Sequence, residues 1–442
     1  MTETQKRKLP GLPIAVIVIV LVWVGMMYWP SQTDPGVPAE PSPPEPPVVV
    51  STEPTPAETP TTPPPPPVSI PGVPVAQGTA PWSTYHGGAA LRGAVNVVLP
   101  DAPTRLWRFQ TVGSVYQTPV ADGQGIYFTT DEGGVIALDL NGEKLWSKKL
   151  MREPSANGEP RSERLDAPVA CFESTVLVGA DSGILYAFDA ATGDEKWTYD
   201  VGGSILGTVN FQPASLTVPS DRLFILGQSD GTLHAVDLKT GNQIWQTESI
   251  DQCDGSPGVG QNSIVFGSCA AALHVFSTAD GELIRNIEID DDSQVAGGVA
   301  IVGDSVFSGS RSGKLIHANA STGETYWINE DCQDEIFTTP AVDDAWVVFA
   351  AYDGIVYALD RATGTNQWTF DTDGGLPYSP VIAGDKVIVS ADGTLYFLRL
   401  KSGEKLWSYE VSDEISSPAI INQMVVVGGE DGTVTAFGSP ER

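Results

Sequence analysis

Cysteine, histidine and closely set carboxylates are the side chains of this chain best able to ligate, react or dock. There are four Cys and four His in 442 residues. Cys253 and Cys269 flank a candidate hairpin, Pro257 to Ser263, and each lies eight residues from its centre at Gln261. That symmetry lets the two face each other, as a disulfide in an oxidising compartment or as two unpaired thiols. Cys171 and Cys332 fall in distant parts of the chain and are not expected to pair. No CxxC is present to anchor a zinc site. His234 and His274 occupy the same strand slot in successive repeats, with His317 one place later, which points to packing rather than ligation. His86 stands in a short lead-in and carries no chemistry that the sequence names.

Carboxylates gather at Asp251 and Asp254, at Asp290, Asp291 and Asp292, at Glu330, Asp331, Asp334 and Glu335, and at Asp413 and Glu414. Each group lies between two repeats, on connections that share one face. Such a rim is either a solvated, solubilising surface or a docking surface for a basic protein, with weak Ca²⁺ binding as a variant at the Asp triplet. The formal net charge is −31, nearly all of it beyond residue 80, which repels phosphate backbones and argues against nucleic acid as a partner. No glycine-rich phosphate loop joins a strand to a helix, and no nucleophile stands beside an orienting base. No catalytic, cofactor-binding or metal-binding residue is therefore assigned.

What must position these groups is a repeat. Asp360-Arg361-Ala362-Thr363-Gly364-Thr365-Asn366-Gln367-Trp368 follows the strand-like run Gly354–Leu359. It reads as a strand, a tight turn headed by Asp, and a second strand around Trp. The turn glycine returns at 142, 193, 241, 281, 323, 364 and 403, a period near 40 that signals four-stranded propeller blades. Seven sets of four strands begin near Tyr116, Ala167, Leu206, Ser256, Ala296, Thr338 and Tyr378. Three further strands, Ser416 to Phe437, lack a fourth, and Arg105–Phe109 lacks partners. Joining them gives an eighth blade and removes the open edges. The chain is thus expected to be all-β, an eight-bladed propeller over 78–442 closed by its N-terminal strand. The innermost strands carry a small residue before Pro, as in Thr118-Pro119 and Ser379-Pro380, where only small side chains fit around an axis. Insertions at Met151–Leu165 and Gln212–Asp221 are expected on opposite faces.

Ahead of the propeller, Leu12 to Trp29 gives about 18 uncharged, mostly apolar residues, nearly enough to cross a ~30 Å hydrocarbon core. Lys6-Arg7-Lys8 precedes the run, and no small-residue cleavage site follows it. The expected layout is a cytoplasmic tail over 1–10, a transmembrane anchor over 11–30 and a Pro-rich disordered linker over 31–77. That layout places the chain in the inner (cytoplasmic) membrane as a single-pass protein, with its propeller periplasmic or extracellular.

The run Leu185-Tyr186-Ala187-Phe188-Asp189-Ala190-Ala191-Thr192-Gly193-Asp194-Glu195-Lys196-Trp197 resembles the signature of the pyrroloquinoline quinone (PQQ)-type repeat propellers. The resemblance covers roughly 105–437, and Trp82 to Gly93 is similar to the segment that opens many such domains. It implies that Trp107, Trp146, Trp197, Trp245, Trp327, Trp368 and Trp407 pack between neighbouring blades. At blade four, Arg285 stands where the repeat has Trp. One branch of these propellers, the quinoprotein dehydrogenases, implies PQQ with Ca²⁺, an Asp base and commonly a vicinal Cys-Cys disulfide. Here the four Cys are separate and the chain is barely longer than its blades. In size it is closer to the BamB-like outer-membrane assembly factors, which imply a non-enzymatic scaffold that binds proteins through its loops. This chain departs from them by replacing a lipid-anchor Cys with the apolar span and Pro-rich tether.

Overall fold

The computed structural model describes residues 82–154, 158–215, 218–289, 294–373, 375 and 378–440. The tail, anchor and linker expected over 1–77 lie outside the described residues. Among the described residues, no helix is long and apolar enough to cross a membrane.

Among the described residues eight blades of four antiparallel strands are present, one of them extended by a fifth, parallel strand. The innermost strands of blades one to eight are Val120–Ala121, Ala170–Phe172, Asn210–Gln212, Gly258–Val259, Ala300–Val302, Ala341–Val342, Val381–Ala383 and Ala419–Ile421. Blade eight takes its outer strand, Thr104–Gln110, from the start of the domain, and this strand pairs antiparallel with Thr433–Gly438 near the end. The closure anticipated from the unpaired strands is therefore present. Second and third strands are almost wholly buried, with Phe128, Phe224, Phe266, Phe307, Phe349, Phe397 and Phe437 filling the space between sheets. β-Branched and aromatic residues suit such two-sided burial.

Each third-to-fourth strand pairing slips register beside the repeat Trp position, as between Ala187 and Phe188 opposite Trp197. A bulge adds local twist and re-aims one side chain. Here it turns the indole toward the next blade. Trp146 Nε1 donates to Ala190 O at 2.9 Å, Trp197 to Leu238 O at 3.0 Å, Trp327 to Arg361 O at 3.0 Å and Trp368 to Leu400 O at 2.7 Å. Trp107 likewise reaches Leu140 O at 3.1 Å. The ring lies on the turn glycine of that neighbour. A β-carbon at Gly193, Gly241, Gly281 or Gly364 would sit 2.6–2.7 Å from an indole carbon of Trp146, Trp197, Trp245 or Trp327. Positive φ at these glycines adds a second reason for the residue type. Trp407 has no such turn beside it because the chain is broken in blade eight, and it packs edge-on to Phe437 at 5.6 Å between centroids. Arg285 takes the Trp place between blades four and five, and its guanidinium donates to Ser321 O and to Thr322 O.

The lead-in crosses the axis on the face of the first-to-second-strand turns. It gives one backbone carbonyl after another to the inner strands: Trp82 O to Ala121 N, Ser83 O to Cys171 N, Ala89 O to Val259 N, Ala90 O to Ile301 N, Arg92 O to Val342 N and Gly93 O to Ile382 N. Thr84 Oγ1 meets Thr208 Oγ1 in blade three at 2.7 Å, and Ala94–Val95 joins blade seven as a parallel strand. Twelve residues thus tie seven blades together. His86 is buried at the centre, its Nδ1 2.8 Å from Leu91 O and its Nε2 2.8 Å from Pro380 O. A β-carbon at Gly93 would overlap the imidazole.

Candidate docking face and axial cavity

The lead-in seals one end of the axis and leaves a cup of about 630 Å³ open at the other. Its floor is Tyr85, whose hydroxyl bonds Thr339 Oγ1 and Ser379 Oγ. The small inner-strand residues around it do more than fit. Ser256 Oγ accepts Thr208 N–H at 3.0 Å, Thr339 Oγ1 accepts Gly298 N–H at 3.1 Å, and Ser379 Oγ accepts Thr339 N–H at 2.9 Å. These hydroxyls bond one blade to the next around the axis. The expectation from sequence was steric alone.

The cup opens on the face that carries the inter-blade connections, and its wall is aromatic and acidic. Tyr116, Phe337, Tyr352 and Tyr378 line it together with Asp166, Asp254 and Glu414. Tyr352 is 52 % exposed, and it packs on Phe337 with centroids 5.0 Å apart. The hydroxyl of Tyr378 donates to Glu414, and burial first, then that carboxylate, push the phenol's pKa well above its ordinary value. Asp254 accepts from Gln228 Nε2 at 3.1 Å and lies 3.6 Å from Arg311, whose guanidinium stacks 4.9 Å over the Phe337 ring. Asp166 pairs with Arg164 at 3.0 Å.

The anticipated acidic rim divides into free and committed groups. Asp251, Asp331, Asp334 and Asp413 are exposed, and among the described residues none of them pairs with a lysine or arginine. Glu330 pairs with Lys314 at 3.2 Å, while Asp331 accepts Asn329 Nδ2 at 2.9 Å. Asp334 caps the N–H of Glu335, itself half-buried, at 2.8 Å. Asp290, Asp291 and Asp292 lie outside the described residues. The 151–165 insertion sits in a connection between blades and forms a short hairpin, Met151–Arg152 against Arg161–Ser162. It is anchored through a buried carboxylate: Glu163 accepts Arg152 Nε at 2.8 Å, Arg164 N–H at 3.1 Å and Ser182 Oγ at 2.9 Å.

All four cysteines are free thiols in the structure. Cys253 and Cys269 nevertheless lie side by side, because Cys269 N–H donates to Gln252 O at 2.9 Å. Burial pushes the Cys253 thiol up, and neighbouring Cys269 and Asp254 add to the shift. His234 and His274 bond Tyr199 and Asn286 at 2.9 and 2.8 Å. His317 stacks on Phe307 with centroids 4.2 Å apart. No group of three or more His, Cys, Asp or Glu among the described residues has metal-binding geometry.

The outer membrane protein assembly factor BamB family matches residues 89–165, 141–296 and 271–441, together nearly the whole propeller. The chain belongs to that family. The Burkholderia pseudomallei outer membrane protein assembly factor BamB is 27 % identical over 331 residues, covering 72 % of this chain and 80 % of the relative. The crystal structure of BamB from Moraxella catarrhalis superposes with a TM-score of 0.63 at 20 % identity, over 76 % of this chain and 100 % of the other. The quinohemoprotein alcohol dehydrogenase of Comamonas testosteroni gives a TM-score of 0.62 at 14 % identity, over 83 % of this chain and 82 % of the other, a likeness of fold alone. PQQ is a polycarboxylate, and the described residues that line the cup, with three carboxylates and no lysine or arginine, do not fit it.

Proposed function

We propose that this BamB-family propeller is a non-enzymatic docking scaffold for cell-envelope protein assembly, presented beyond the cytoplasmic membrane on its N-terminal span and Pro-rich tether. The observation that carries the reading is the asymmetry of the disc. One face is closed over the axis by the lead-in, and the other carries an open cup and exposed carboxylates, Asp251, Asp331, Asp334 and Asp413, that meet no lysine or arginine among the described residues. Opposite charge on a partner would speed encounter and fix its orientation. The names of the relatives, outer membrane protein assembly factors, support envelope assembly as the setting.

A photo-crosslinking residue placed at Asp413 or Asp334 of the full chain in native membranes tests this reading. The expected result is a discrete set of cross-linked proteins whose yield falls steeply with salt, since exposed charges are screened beyond about 8 Å at physiological ionic strength. Absence of discrete adducts, or adducts indifferent to salt, refutes it.

A further inference from the structure

We propose that the axial cup receives the side chain of an arginine presented on a loop of the docked partner. The inference deepens the docking reading by naming the group recognised at its centre. The cup is blind, floored by Tyr85 and its bonds to Thr339 and Ser379, so whatever enters comes from the acidic face. Its volume, about 630 Å³, lies within the ordinary range of small-ligand sites. It therefore takes a long side chain with part of its flanking loop.

The wall chemistry selects the guest. A cation is attracted to aromatic faces and to carboxylates, whereas an anion meets both with repulsion. The chain already shows this wall holding a guanidinium, since Arg311 stacks over Phe337 and pairs with Asp254 at the rim. Asp166 is similarly taken by Arg164. Glu414 is left: among the described residues its carboxylate meets the Tyr378 hydroxyl and no lysine or arginine. Tyr352, more than half exposed, offers an open ring at the mouth. A planar guanidinium that lies on Tyr352 and pairs with Glu414 repeats the Arg311 arrangement on the unfilled part of the wall. Lysine lacks the plane for that stacking.

The test uses the full chain in detergent micelles and two probes, acetyl-Gly-Ser-Arg-Gly-Ser-amide and the same peptide with citrulline, which keeps the shape and removes the charge. The arginine peptide is expected to bind saturably by calorimetry, with the citrulline peptide at least about tenfold weaker. Tyr352→Ala and Glu414→Gln should each weaken the arginine peptide by about tenfold. Asp413→Asn, outside the cup, should change it less than about twofold. Tyr352 is exposed, so its variant separates lost binding from lost folding. Equal binding of the two peptides, or full binding by Tyr352→Ala, overturns the proposal, as does tighter binding of a neutral chitotriose probe. If the peptides fail while salt-sensitive cross-linking persists, the docking reading stands and the cup assignment falls. Arginine-selective peptide binding without any cross-linked partner would instead uphold the cup's preference and refute the docking reading.

Discussion

Arg285→Trp restores the repeat at the one blade junction that lacks an indole, and it should stabilise the propeller. The guanidinium of Arg285 makes two hydrogen bonds, to Ser321 O and Thr322 O, from a half-exposed position. With solvent screening their loss costs about 1 kcal/mol together. Against that, a packed Trp buries roughly 150–250 Å², of which the Arg stem already covers part. Some 100 Å² of new apolar burial at about 25 cal/mol per Å² contributes about 2.5 kcal/mol. At four other junctions, those of Trp146, Trp197, Trp327 and Trp368, the indole N–H bonds the carbonyl three residues before the turn glycine, which here is Ala320 O, for about 1 kcal/mol more. Room exists, because a groove of about 680 Å³ lined by Val275, Ile284, Ile301 and Ala320 lies at this junction. The net expectation is about 2.5 kcal/mol of stabilisation. Urea unfolding followed by far-UV circular dichroism should show a higher midpoint at unchanged slope, with Arg285→Ala below the parent. A midpoint for Arg285→Trp at or below that of Arg285→Ala refutes the claim that indole burial on glycine is what joins the blades.

Three other outcomes follow from buried polar groups. Glu163→Ala removes the carboxylate between Arg152 and Ser182 and should cost about 3 kcal/mol, as for other broken buried pairs. Hydrogen exchange confined to the 151–165 insertion would report it, and unchanged protection there would count against the anchor. Burial, assisted by Arg361, pulls His317 down to about 4. An unfolded chain with His near 6.5 then takes up a proton that the folded one refuses. Stability should be full above pH 6.5 and decline as pH falls toward 4, by about 2 kcal/mol after allowance for partial solvation. His317→Phe, which keeps the stack on Phe307, should flatten that slope, and a slope unchanged in this variant would assign it elsewhere. Oxidised glutathione should join Cys253 to Cys269, with loss of two hydrogens by intact mass and a single linked peptide pair. A mixed disulfide to either thiol that never resolves would show that they cannot meet.

The blade count was legible because six of the seven turn glycines, all but Gly323, answer with their tryptophans to one constraint, an indole lying on a turn that has no room for a β-carbon. Repetition of that constraint, rather than hydrophobic alternation, made the period readable. The chain-end closure was legible from strand arithmetic alone. The hydroxyl bonds around the axis were not, since Ser or Thr before Pro satisfies a steric rule and a hydrogen-bonding rule equally. The acidic rim was legible as charge but not as availability: Asp254 and Glu330 are met by Arg311 and Lys314, whose positions depend on which turns the fold brings together. The lead-in was least legible of all. Its backbone carbonyls meet the amides of six different blades in turn, so no periodicity betrays them, and Gly87, Gly88 and Gly93 around His86 were the available hint of a close backbone approach.

That lead-in bears on function through what it removes. A propeller closed only by pairing its two chain ends still has an axis open at both ends, with carbonyl and amide groups of eight inner strands exposed around it. Here the carbonyls of Trp82, Ser83, Ala89, Ala90, Arg92 and Gly93 satisfy amides on six of those strands, and His86 meets the carbonyl oxygens of Leu91 in the lead-in and Pro380 in blade seven. Buried backbone groups require such partners. With one end thus committed to the chain's own backbone, the phenol of Tyr85 becomes a floor rather than a channel lining. The open end of the axis is then the cup on the face of the inter-blade connections. The single-sidedness on which the proposed docking rests is therefore a consequence of twelve residues that precede the first blade, and a loosened lead-in, as in His86→Ala, should weaken arginine-peptide binding at the cup by calorimetry without touching any residue of its mouth.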